Sequence, residues 1–310
     1  MSSITKLSPR QLFNSRIANN ESRLGFLLLF PVFALLLFVV FIPIAWALFQ
    51  SLFEQSTIGN NKTFVGLANY TYLLINDPTF WASVGRSVYF ALGSTVLQLC
   101  LAIPTAILLN KKLKGIVFVR ALALLPYLLP TIVVGMSFLW ILHPQLGIAS
   151  NLLQSTGIAS DPVSFFGSEK QAMPALIMVN SWKYTPFFTM LFLARLQSIP
   201  ENHYEAAKMC GANSYELFRD ITLPYLRGVI LLTFLLRGIW MFNKFDIIWI
   251  LTKGGPAEAT TTLPIYIYNI AFLDYKMGRA LAASTLLFLF LLVGGLAYIH
   301  LFKPSDEVEA

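Results

Sequence analysis

Two sets of polar side chains interrupt otherwise apolar stretches, and their spacing suits ligand binding rather than catalysis. Asn180, Lys183, Tyr184 and Phe187 fall at i, i+3, i+4 and i+7, the repeat that lines one face of a helix. Arg237, Trp240 and Lys244 fall at i, i+3 and i+7, with Asn243 beside them, while Asp246 at i+9 is expected on the opposite face. Aromatic rings can cover the apolar face of a sugar while amides and cations bind its hydroxyls. Asn180, Tyr184, Trp240, Asn243 and Arg237 are therefore the candidate substrate path. The alternative is that these groups pair with one another or extend to the outer interface along their stems. For Lys183 and Asp246 pairing is the preferred reading; for the amides and rings the two readings stand level. His143, His203 and His300 are dispersed, with no metal-ligand spacing and no neighbouring nucleophile. Cys100 and Cys210 suggest neither a metal site nor a disulfide framework. A Gly-rich phosphate loop ending in Gly-Lys-Ser or Gly-Lys-Thr is absent from the sequence, so no ATP site and no bound cofactor are expected on this chain.

The elements that must hold these residues are membrane helices. Hydrophobic residues make up 56% of the 310 and charged residues 12%, against about 25% charged in a soluble domain. Apolar runs long enough for a bilayer, about 20 helical residues, lie near 24–49, 84–109, 116–142, 172–196, 226–251 and 281–302. The fold expected is all-α and integral to the membrane, with six spans over 24–302, a polar segment over 1–23 and a tail over 303–310. Trp46, Trp81 and Tyr298 suit aromatic belts at the bilayer edges. Lys and Arg concentrate on the side of the termini, most clearly at Lys111, Lys112, Lys114 and Arg120 around a short turn. That places both termini and the 197–227 loop in the cytoplasm. The formal charge of +7 then reflects this bias and does not imply nucleic acid.

The stretch from Leu196 to Arg227 is polar, and it separates two apolar segments. Tyr204, Ala207 and Lys208 share a helical spacing, and so do Tyr215, Phe218 and Arg219. Gly211 between them can end a helix in the left-handed conformation. Asn213 or Ser214 can cap the second piece, and Pro224 is expected to set where it stops. Two short amphipathic helices at a membrane surface follow, with Glu205, Glu216 and Arg219 turned outward.

This stretch resembles the signature loop of binding-protein-dependent ABC importer permeases, on Glu205-Ala206-Ala207, Gly211, Ile221 and Leu223-Pro224 at fixed spacing. Trp182-Lys183 with Pro186, Phe245-Asp246, Lys253-Gly254-Gly255-Pro256 and Gly278 look similar to the carbohydrate branch of that family. The resemblance implies the type I importer fold, in the bacterial cytoplasmic membrane, with a sugar, polyol or glycerol phosphate as cargo. It implies that Glu205, Ala206, Ala207, Gly211, Ile221, Leu223 and Pro224 couple to an ATPase. It further implies a second permease subunit, two ATPase subunits carrying ATP and magnesium, and an extracytoplasmic solute-binding protein. A secondary transporter driven by an ion gradient is the alternative. It would need paired carboxylates at mid-membrane, and Asp246 is the only acidic candidate in the spans. A membrane enzyme would need a catalytic cluster, and none is visible.

Overall fold

A computed structural model describes residues 25, 28–58 and 62–302. The basic residues Lys6, Arg10, Arg16, Arg23 and Lys303 and the segments 1–23 and 303–310 lie outside the described residues. Among the described residues, four helices are long and apolar enough to cross a membrane: α1 (Leu28–Gln50), α2 (Pro78–Leu109), α8 (Ser214–Phe242) and α11 (Met277–Phe302). Between α1 and α2 the expected loop holds a short antiparallel pair, Phe53–Gln55 with Lys62–Phe64.

The run expected as one span over 116–142 is broken. Helix α3 (Ile116–Leu128) meets α4 (Thr131–Ile141) at 90°. The cause is local: Leu129 precedes Pro130, and the proline ring pushes the residue before it out of the helical region. Leu129 is extended, with ψ 138°. The broken turn strips carbonyls of their helical partners, and a side chain from another element replaces them. Lys183, on α6 (Glu169–Gln197), donates to the carbonyls of Tyr127 and Leu129.

Helix α6 is 29 residues long and runs unbroken through Pro174 and Pro186, yet it is too polar to count among the apolar crossings. Its position explains this. It packs most extensively on α2, and also on α3 and α8, so much of its surface meets protein rather than lipid. The facing side of α2 carries Ser87, Ala91, Ser94, Gln98, Ala102 and Ala106, all buried. Small residues at three- and four-residue spacing let two membrane helices approach closely, where lipid offers no hydrophobic drive to pair them.

Helix α5 (Ile148–Ser155) lies in the segment between α4 and α6, where His143 Nδ1 accepts from the backbone of Gln145 and Leu146. The segment 252–280 holds an apolar helix, α10 (Leu263–Phe272). Ser87 Oγ accepts from Leu263 N at 2.7 Å and satisfies a donor at its start. Asp77 caps α2 through Thr79 N at 3.0 Å and Phe80 N at 3.2 Å. It also accepts from the Tyr266 hydroxyl at 2.5 Å. Burial first, and then that hydrogen bond, push the Tyr266 phenol up from its ordinary range. Of the residues suited to aromatic belts, Trp46 and Trp81 are exposed. Tyr298 instead donates to Leu231 O on α8.

Gly278, at the start of α11, sits where no side chain fits. A Cβ there would lie 2.0 Å from Phe53 O. Gly278→Ala should therefore destabilise the outer layer by about 1–3 kcal/mol, read as a lower melting temperature of the purified protein. An unchanged melt would mean that the hairpin shifts freely.

Candidate functional site

Two sites are built on this frame, one on the exposed helix–glycine–helix segment between α6 and α8 and one among the helices. At the surface, α7 (Glu201–Met209) ends at Gly211, whose φ is +87°. The bonds Ala212 N to Ala207 O at 3.0 Å and Gly211 N to Lys208 O at 2.9 Å close a Schellman turn, which requires the left-handed residue there. Asn213 Oδ1 then accepts from Tyr215 N and Glu216 N, and Glu216 returns a carboxylate oxygen to Asn213 N at 2.7 Å. This reciprocal cap is worth roughly 1 kcal/mol. It also turns Glu216 back on its own helix, where an outward position was expected.

Pro224 does not end the second piece. Residues 214–242 form one continuous helix, α8, with a wide turn over Phe218–Thr222 just ahead of the proline. Pro224 has no N–H to give to the preceding turn, and the helix absorbs this through the locally looser bonding before it enters the bundle. The surface unit is fastened to the bundle at several points. Tyr204 Oη and Thr222 Oγ1 lie 3.0 Å apart, Tyr225 Oη and His203 Nδ1 lie 2.9 Å apart, and Arg195 Nε donates to Tyr225 O at 3.0 Å. Tyr204, Ile221 and Tyr225 pack on a core of Phe188, Phe192, Leu196 and Leu226.

The expected coupling residues therefore divide. Glu205, Ala206, Leu223 and Pro224 are exposed, Ala207 is half-buried, and Ile221 faces the bundle core. The spacing put Tyr215 on a helical face with Phe218 and Arg219 but did not mark it, or Met209, as exposed; they are 66% and 89% exposed beside Gly211. Arg219 is outward as expected and donates to Asp220 at 2.6 Å.

Among the helices, a cavity of about 460 Å³ is lined by Tyr127, Tyr184, Phe187, Arg237, Trp240, Asn243, Lys244 and Asp246, with Met241 and Phe245. Four of the five candidate path residues meet there. The fifth, Asn180, is fully buried behind the lining, with Nδ2 3.0 Å from Met241 Sδ. Tyr127 joins because the break after α3 turns it inward; it stacks on Phe187 at 5.4 Å.

Helix α8 ends at Phe242, and α9 (Asp246–Leu251) starts afresh after a turn. Asp246 is therefore not on the opposite face from Lys244. The two form an ion pair at 2.8 Å, and Lys244 also donates to the Tyr184 hydroxyl at 2.6 Å. Arg237 is 3% exposed. Its Nε donates to Gln98 Oε1 at 2.6 Å, and its guanidinium lies 4.5 Å from the centre of the Tyr184 ring. The arrangement offers stacking rings, an amide, a hydroxyl and two cations, which is recognition chemistry without a nucleophile. Among the described residues there is no cluster of His, Cys, Asp and Glu able to hold a metal.

Residues 98–303, which include both sites, match the family described as binding-protein-dependent transport system inner membrane component. The chain belongs to this family. The permease is 36% identical over 272 residues to the trehalose/maltose transport system permease protein MalF of Thermococcus litoralis, covering 87% of this chain and 91% of that one. It is 33% identical over 265 residues to the sn-glycerol-3-phosphate transport system permease protein UgpA of Brucella abortus, covering 85% and 89%. A chain of the bacterial alginate ABC transporter, crystallised with an alginate pentasaccharide-bound periplasmic protein, has a similar fold. The TM-score is 0.77 at 22% identity, over 91% of this chain and 94% of that one.

Proposed function

We propose that this permease is one of two membrane subunits of an ATP-driven importer for a sugar, polyol or glycerol phosphate in a bacterial cytoplasmic membrane. The observation that carries this reading is the helix–glycine–helix unit over Glu201–Leu217. It sits between two membrane helices, is fastened to the bundle from within, and presents Glu205, Met209 and Tyr215 outward. In a chain of this family such a surface suits docking into a cleft of an ATPase, with Glu205 at the contact and Gly211 permitting the turn. ATP and magnesium belong to that partner. Taking α6 and the bent α3–α4 pair as crossings alongside the four apolar helices gives six, with both termini and this unit in the cytoplasm. Helix α1, whose apolar window is wholly unburied, is then available to lipid or to the second permease. The relatives' carbohydrate and glycerol-phosphate cargo supports the substrate class, as does an aromatic and polar cavity of suitable size. Nucleotide-driven closure of the ATPases would move the docked unit and rock the helices, provided that nucleotide binds one state better than the other.

The test is co-purification with ATPase and second-permease subunits, followed by ATPase assays with a binding protein and a panel of sugars and polyols. Stimulation by one loaded binding protein is expected. A chain that purifies alone and moves solute along an ion gradient without ATP would overturn the reading.

A further inference from the structure

We infer that the cargo of this permease carries an anionic oxygen group, a carboxylate or a phosphate, and that Arg237 receives it. This rests on the importer reading above and narrows its substrate class. Of the two cations on the cavity, Lys244 is already neutralised by Asp246 at 2.8 Å. Arg237 has no such partner among the described residues. Its Nε bond goes to the neutral amide of Gln98, and its Nη2 is buried with no hydrogen-bond partner. The Gln98 Nε2 is likewise buried and unpartnered. An Arg kept away from water is ordinarily paired, because an uncompensated buried charge is costly. Here the remaining compensation is the face of Tyr184 at 4.5 Å and that of Phe188 at 5.2 Å, which attract a cation weakly compared with a carboxylate.

The site is therefore built with one positive charge left over, on a cavity whose rings suit a sugar or polyol. The planar guanidinium matches two oxygens of a carboxylate or phosphate. A purely neutral sugar would leave that charge unanswered. The relation of Lys244 to Asp246 completes the argument: the one carboxylate on the cavity is already engaged, so the missing anion comes from outside the chain.

The test uses the whole importer in lipid vesicles with its ATPase, second permease and binding protein, and compares wild type with Arg237→Gln and Arg237→Lys. Uptake is followed for glucuronate, glycerol 3-phosphate, glucose and glycerol, each also as a competitor. Wild type is expected to take up or be inhibited by an anionic probe in preference to its neutral counterpart. Glucuronate against glycerol 3-phosphate distinguishes a carboxylate from a phosphate. Arg237→Gln should raise the half-saturating concentration of the anion roughly ten- to hundredfold, and Arg237→Lys should recover part of that loss. Neutral probes carried equally by wild type and Arg237→Gln, with anions ignored, would overturn the inference and leave the importer standing. That outcome would assign Arg237 to a carboxylate of the second permease. A complex that assembles but shows no ATP-dependent uptake of any probe would overturn both.

Discussion

Gly211→Val should abolish coupled uptake while leaving the permease in the membrane. The glycine holds φ +87°, in the left-handed region that costs other residues about 1–2 kcal/mol and is worse for a β-branched one. Relief of that strain requires giving up the Schellman bonds from Gly211 and Ala212, and with them the angle between α7 and the start of α8. A Cβ at this position meets nothing within 4 Å, so the damage is to the turn and not to packing. The membrane bundle should therefore survive. The expected result is normal membrane abundance and co-purification or weakened docking, with ATP hydrolysis no longer raised by the binding protein and uptake near background. Gly211→Asn, which tolerates the left-handed region through its short polar side chain, should retain much of the activity. Normal uptake by the valine variant would remove this turn from the coupling mechanism.

Lys183→Met should cost the permease its stability. The side chain is 3% exposed and, among the described residues, supplies the only side-chain donor to the carbonyls of Tyr127 and Leu129 at the α3–α4 break. Methionine fills similar space but gives no hydrogen bond. Each carbonyl left unsatisfied away from water costs about 1–3 kcal/mol, and the bilayer core offers no replacement partner. A substantial drop in melting temperature and in membrane yield is expected, with Lys183→Arg much milder. Uptake should fall too, because the same break turns Tyr127 toward the cavity. A methionine variant that melts with wild type would show that the break holds itself without the lysine.

Both predictions start from residues legible in the sequence, but not equally so. The helix–glycine–helix unit is a local object. Its cap, its left-handed glycine and its helical faces depend on neighbours within a few residues, so spacing pointed to Gly211 and narrowed the cap to Asn213 or Ser214. Lys183 was legible as a charge on the Asn180–Phe187 face that should find a partner, but not as to which partner. Its partners lie 54 and 56 positions away on a helix whose break could be suspected from Pro130 but not measured. The same limit applies at the end of α8. Periodicity extended through Lys244 to Asp246 and put the carboxylate on the wrong face, because the turn after Phe242 resets the phase. Exposed Met209 and Tyr215 were missed because a lone apolar residue in an amphipathic helix normally packs inward.

By itself, then, the sequence determined the membrane class, the main apolar helices and the glycine turn between two short helices. These follow from composition and from contacts short enough to read along the chain. Tertiary structure alone decided that α6 could be polar because much of its surface packs on α2, α3 and α8, and that α3 and α4 meet at 90°. It also decided that Tyr127, Tyr184, Arg237 and the Lys244–Asp246 pair share one cavity. Such assignments depend on which helices surround one another, and no spacing within a single helix carries that information.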